Sequence, residues 1–314
     1  MDAEDISPEV FISFAVASGL TFLLGVVLNA LVIATFLRYR SLFSEENILV
    51  FSITVSDLLC CTGAVPTSMV SNWKQKWVYG ESGCSLHAFL VTLTGLVSIT
   101  HFAALARKRY EGLRLHGRKF LPDERIMYVV IGLWIYSFLF AIAPVIGWSR
   151  YVKEAIGTSC SVDWQSTDAG SVSYTIVIFT GCFFIPVAII IHSYVSFYLL
   201  LRQITSAANA TWGSMSTQAR ESAKTEAKMT ALIFSMTAVF LVSWTPYAIV
   251  SMIAALGKAD LISPSVTTVK IYLAKSSTLY NPIIYFIVYA RFRRKLRKLL
   301  TSLCSGLNTV HPDQ

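Results

Sequence analysis

Apolar residues gather in seven long stretches, near 10–37, 46–70, 84–108, 126–148, 172–200, 226–254 and 264–288, and polar positions fill the short segments between them. An α-helix needs about 20 apolar residues to cross a hydrocarbon core, and each stretch is of that order. Backbone polar groups in lipid must be satisfied within the segment, so runs of this kind predict helices. The expected fold is an all-α membrane protein, a seven-transmembrane helix bundle over 10–288, preceded by a 1–9 segment and followed by 289–314. Past Tyr285 the run YARFRRKLRKLL alternates basic and apolar residues at helical spacing. It predicts an amphipathic eighth helix lying on an anionic lipid surface.

Composition sharpens this picture. The chain of 314 residues is 54% hydrophobic and 14% charged, against roughly 25% charged in soluble domains. A net charge of +8 does not point to nucleic acid, because the basic residues sit between spans rather than on a groove-sized patch. Lys74, Lys76, Arg150, Lys153 and Lys258 fall on one side; apart from Lys270 and Lys275 inside the last span, the rest of the 26 Lys and Arg fall on the other. Positive charge concentrates on the cytoplasmic side, so the N-terminus is expected outside the plasma membrane and the C-terminus in the cytoplasm. The opening MDAEDISPEV is acidic, which predicts a first span acting as signal anchor rather than a cleaved signal. The segment from Arg202 to Lys224 is then a cytoplasmic loop, where the Asn209-Ala-Thr211 glycosylation match is accidental.

Polar groups inside the apolar runs carry the chemistry. Lys275 sits mid-span in IYLAKSSTLYNPIIY, where a charge costs at least ~2.5 kcal/mol and needs a partner or a modification. Taken alone, such a lysine is compatible with an ion pair between helices. Asn281 and Pro282 interrupt the same helix, and proline removes a backbone donor there. Asn29 and Asp57 lie at similar depth and are expected to hydrogen-bond inside the bundle. Cys60, Cys61 and Cys182 read as packing residues. His87, His101, His116, His192 and His311 show no ligand spacing, so no metal is expected.

A mid-membrane lysine followed by NPxxY resembles the seventh helix of an opsin, a rhodopsin-like class A G-protein-coupled receptor. Trp134, Pro186 with Tyr194, and the WTPY of Trp244 to Tyr247 match the markers of its fourth, fifth and sixth helices. The resemblance implies retinal, 11-cis or all-trans, bound as a protonated Schiff base on Lys275. An amine kept from water holds more of its neutral, nucleophilic form, which suits attack on an aldehyde. It also implies a disulfide between Cys84 and Cys160, both on the outer side, where thiols can oxidise. Ring and polyene contacts would come from Thr92, Gly95, Phe183, Phe184, Trp244 and Tyr247. Asp57, Asn29, Ser98, Asn281, Pro282 and Tyr285 would form a switching network. Cys304 is a lipidation candidate.

Two departures stand out. Where vertebrate visual opsins keep their counterion, three residues after the disulfide cysteine, this chain has His87. Glu154, six residues before Cys160, is then the expected counterion, as in many invertebrate and non-visual opsins. At the inner end of the third helix the family's acid-Arg-Tyr reads Lys108-Arg109-Tyr110. Repulsion between adjacent cations is expected there, with Glu226 as the remaining partner of Arg109. The segment GWSRYVKEAIGTSCSVDW resembles encephalopsin, teleost multiple tissue opsins and neuropsins, while His87 resembles the retinal photoisomerase branch. The resemblance implies a light-sensing receptor, not an enzyme, with a heterotrimeric G protein and arrestin as partners, a bilayer around it and no nucleic acid. Two alternatives are a retinal photoisomerase and a class A receptor for a diffusible, non-photic ligand.

Overall fold

The computed structural model describes residues 7–115, 125–212 and 217–308, apart from the side chains of 205, 207–212, 217–227, 264–265, 268 and 303–308. The helices run α1 Pro8–Arg38, α2 Glu45–Gly63, α3 Val65–Trp73, α4 Gly80–Arg114, α5 Ile126–Ile142, α6 Ala169–Phe179, α7 Ile185–Trp212, α8 Thr217–Ala255, α9 Pro264–Val288 and α10 Ala290–Asn308. A short antiparallel hairpin, β1 Tyr151–Lys153 and β2 Cys160–Val162, pairs Tyr151 with Val162 and Lys153 with Cys160. Among the described residues, five runs are long and apolar enough to cross a membrane: Pro8–Arg38, Glu45–Trp73, Gly80–Arg114, Ala169–Ile204 and Lys228–Ala255. Two more helices lie beside them, the shorter apolar Ile126–Ile142 and Pro264–Val288, which carries Lys270, Lys275 and Asn281. Outward faces carry Leu20, Leu24, Ile131, Ile135, Ile191 and Val242, all exposed. That arrangement suits lipid.

Proline explains where the predicted spans deviate. The second one breaks at Ala64, ahead of Pro66, into α2 and α3. The fourth stops at Ile142, with Ala143 as its cap before Pro144; Ala143 itself keeps helical angles, and the helix ends because proline has no backbone N–H to carry the ladder on. In the fifth, a π turn over Thr180–Phe184 precedes Pro186, and the Ile185 amide reaches back to the Thr180 carbonyl. A proline cannot donate to the carbonyl four residues earlier, and the widened turn absorbs that loss.

The largest buried cluster joins Val32, Phe36, Ile53, Phe102, Leu232, Met236 and Tyr285 in the half of the bundle nearer α10. A second lies under the hairpin, around Trp77, Cys84, Cys160, Tyr174 and Cys182. The Cys84–Cys160 disulfide ties β2 to the start of α4, and the Tyr151 hydroxyl donates to the Ala141 carbonyl at 2.7 Å. The hairpin is thereby fixed as a cap on the bundle. Beyond Tyr289, α10 turns away and seats its fully buried Phe292 against Phe36 and Tyr285, leaving Arg291, Arg294, Arg297 and Lys298 exposed.

Candidate functional site

Lys275 is buried, and its amine meets three side chains from three different elements. Nζ donates to Ser68 Oγ at 2.6 Å and to Ser159 Oγ at 3.1 Å, and lies 3.2 Å from His87 Nε2. Ser68 is available because the break at Ala64 starts α3 with Pro66, Thr67 and Ser68. Ser159 is brought in by the neighbouring Cys160 disulfide.

The same break sets the tautomer of His87. The Thr67 hydroxyl donates its one proton to the Ala64 carbonyl at 2.7 Å, so toward His87 Nδ1, 2.7 Å away, it can only accept. Nδ1 therefore carries the ring proton, and Nε2 presents its lone pair to Lys275 and Ser159. The imidazole is neutral and acts as an acceptor. All three groups around the amine are then uncharged.

Glu154 sits in the hairpin turn, where its amide donates to the Ser159 carbonyl at 2.9 Å and its carbonyl accepts from Gly157. Gly157 has φ +71°, a left-handed conformation natural to glycine. The Glu154 carboxylate pairs with Lys270 rather than with Lys275, Nζ to Oε2 being 3.7 Å. Lys270 is itself buried, with its ammonium 4.7 Å above the centre of the Tyr247 ring. This second lysine, five residues before Lys275, escaped the sequence reading beyond being counted in the span.

Beside the amine lies a partly open cavity of about 670 Å³ counted with its mouth, walled by Thr92, Gly95, Phe179, Phe183, Trp244 and Tyr247 among others. A smaller one of about 240 Å³ includes Lys275, Asp57, Cys60 and Ser98, and shares Val91, Gly95, Phe240 and Trp244 with the first. Trp244 is thus the wall between the lysine and the larger space. Its indole donates to Ser277 Oγ at 3.1 Å, and its ring edge occupies the room a side chain at Gly95 would need, 2.4 Å from an ideal Cβ. Thr92, Gly95, Phe183, Trp244 and Tyr247 all line the cavity. Phe184 does not: it is 48% exposed, because neighbours on a helix point about 100° apart and Phe183 takes the inward direction. Trp164, Phe179, Cys182, Phe240 and Ala248 also belong to the wall, and no motif marked them.

Toward α10, Asn281 Nδ2 donates to Asp57 Oδ2 at 2.8 Å, and Asn29 donates to the carbonyls of Gly25 and Thr278. Tyr285 donates to Asn47 Oδ1 at 3.0 Å, while Tyr194 and Thr237 share a hydrogen bond at 3.3 Å. Tyr110 packs edge-on against His192. The expected repulsion at Lys108-Arg109 is corrected by acids from α2. Lys108 pairs with Glu45, and Arg109 Nη1 lies 3.9 Å from Glu46 Oε1. Ser44 caps α2 through the Asn47 amide, so both glutamates fall in its first turn, a position that favours acids. The Glu226, Cys304, Asn209 and Thr211 side chains, and all of His116 and His311, lie outside the described residues. Among the described residues no cluster of His, Cys, Asp and Glu is arranged to hold a metal.

A buried amine beside an apolar cavity, inside a helical bundle with a capping hairpin, defines a membrane receptor with an enclosed ligand site. The family described as "7 transmembrane receptor (rhodopsin family)" matches residues 28–285. Human melanopsin is 33% identical over 292 residues, 91% of this chain and 60% of its own length. Xenopus laevis Melanopsin-B is 32% identical over 283 residues, 89% of this chain and 53% of its own. Mouse Opsin-3 is 32% identical over 294 residues, 94% and 72%. The chain thus spans little more than half the length of the melanopsins. The crystal structure of squid rhodopsin superposes with a TM-score of 0.88 at 25% identity, covering 98% of this chain and 89% of that one. The chain belongs to the rhodopsin family of seven-transmembrane receptors, and within it to the opsins of non-visual type, which are receptors and not enzymes.

Proposed function

We propose that this opsin is a light-sensing receptor of the plasma membrane, N-terminus outside and C-terminus in the cytoplasm. It carries retinal on Lys275 and signals to a heterotrimeric G protein, with arrestin as a second cytoplasmic partner. What carries this reading is the buried Lys275 amine, surrounded by uncharged partners and opening past Trp244 toward an aromatic cavity. The aldehyde oxygen would leave as water while the Lys275 nitrogen forms the Schiff base. The close fit of Trp244 against the bare backbone of Gly95 supports an elongated apolar ligand. Retinal, when bound, supplies light absorption and a change of shape.

The chain's own residues do the rest. Ser68, Ser159 and His87 aim the Lys275 nitrogen. Glu154 is the acid within the site that can balance a cation, and we assign it as counterion. Trp244, two residues before Pro246 in α8, sits where a push from the cavity would reach the proline, the kind of position at which helices bend. Outward motion of the inner end of α8 would open a cleft beside Arg109, Tyr194 and the basic α10.

The test is the absorption spectrum of protein reconstituted with 11-cis or all-trans retinal. A light-sensitive band, visible or near-ultraviolet, is expected in the wild type and absent in Lys275→Ala. Light-dependent nucleotide exchange on a G protein then checks the signalling half, and silence across the main G-protein classes would sink it. Retinal isomers extracted before and after illumination check the photoisomerase alternative, which these relatives do not favour, as they do not favour a non-photic ligand.

A further inference from the structure

The site holds two buried lysines, with Glu154 on the hairpin side and Asp57 lining the small cavity with Lys275. Lys270 and Lys275 are both 4% exposed, and Glu154 pairs with the first through Oε2. Its other oxygen, Oε1, is buried with no hydrogen-bond partner among the described residues. An unsatisfied buried carboxylate oxygen is costly to leave open, so Oε1 is the atom that a second cation would satisfy. The bridge toward Lys275 already exists, because Ser159 accepts the Glu154 amide on its carbonyl and the Lys275 amine on its hydroxyl.

Apart from Asp57, which is turned to Asn281, the remaining groups around this cluster do not supply charge of the needed sign. On α4, His87 is a neutral acceptor. On α2, Cys60 is a buried free thiol, and Asp57 is engaged by Asn281. From α8 comes Tyr247, whose ring faces Lys270 and whose hydroxyl accepts from Trp164 at 3.2 Å. From α3 come only the Thr67 and Ser68 hydroxyls.

We propose that Lys270 is the colour-setting residue of this opsin: it competes with the chromophore nitrogen on Lys275 for the single carboxylate of Glu154, and so governs how much of the pigment absorbs visible light. This rests on retinal being carried by Lys275. An imine is a weaker base than an alkylamine, so of two cations sharing one acid the imine gives up its proton first. Removing the Lys270 charge hands both oxygens of Glu154 to the chromophore nitrogen and favours its charged, visible-absorbing form.

Two experiments test this. In the reconstituted pigment, Lys270→Met is expected to move the pH at which the visible band gives way to the near-ultraviolet band upward by more than one unit, a tenfold gain in proton binding. Lys270→Arg keeps the wild-type midpoint, and adding Glu154→Gln to Lys270→Met abolishes the gain. In the ligand-free protein, a thermal-stability cycle of Lys270→Met, Glu154→Gln and the double variant is expected to show the two side chains coupled. A Lys275-dependent band whose midpoint ignores Lys270→Met overturns the assignment alone, as does an additive stability cycle. Loss of any Lys275-dependent band in every variant overturns the retinal reading and this inference with it.

Discussion

Gly95 and Trp244 show how single residues shape the site. The indole occupies the space where a Cβ on Gly95 would stand, so Gly95→Ala must shift Trp244 or bend α4. Overpacking of this kind costs about 1–3 kcal/mol. The expected outcome is a lower thermal midpoint of the ligand-free protein and slower uptake of retinal, followed as growth of the absorption band. Unchanged values for both would mean Trp244 has free space to move into. Lys275 teaches a second lesson. Its position inside an apolar run, six residues before the Asn281 of NPxxY, made it visible in the sequence, but its partners were not. Ser68, Ser159 and Thr67 are ordinary hydroxyl residues, and they matter only because the Ala64 break and the Cys160 disulfide carry them to the amine.

Among the elements, α2 has the part least visible in its sequence. It opens with Ser44-Glu45-Glu46, a common helix start with a capping hydroxyl and first-turn acids. In the bundle those acids face Lys108 and Arg109 of α4, where the family keeps its acid one residue away in the same helix. The charge complement has moved to the neighbouring helix. A double-mutant cycle of Lys108→Met with Glu45→Gln is expected to show coupling of about 0.5–3 kcal/mol, the two side chains being only 16% and 12% exposed. Each single variant should also raise nucleotide exchange by the G protein in the dark. Additive stabilities, with dark exchange unaltered, would show the pair to be incidental. The Asp57–Asn281 bond, by contrast, joins two residues already picked out as polar at membrane depth.

For the molecule as a whole, the hairpin cap and the bundle depend on one covalent link. The Cys84–Cys160 disulfide holds Ser159 over Lys275 and the Glu154 turn beside Lys270. Replacing both cysteines with serine should cost about 2–5 kcal/mol of stability. It should also speed attack of hydroxylamine on the reconstituted pigment, because the cap would no longer shield the lysine. Equal hydroxylamine rates in the two proteins would mean the hairpin stays seated without the bond.

Length and spacing of the apolar runs were enough to specify seven spans and the surface helix, because the cost of exposing backbone or charge to lipid is paid locally, run by run. Lys275, Asp57 and Asn281 were legible for the same reason, each being a chemical exception within its own segment, while Cys84 and Cys160 were legible from their outer-side location and the family resemblance. Pairings between segments were not. Whether Glu154 meets Lys275 or Lys270, whether Lys108 is repelled or neutralised, and whether Phe183 or Phe184 faces the cavity depend on where helices break, how far they rotate and which face each turns inward. Those are properties of packing between chain segments far apart in the sequence, and a linear pattern carries no record of them.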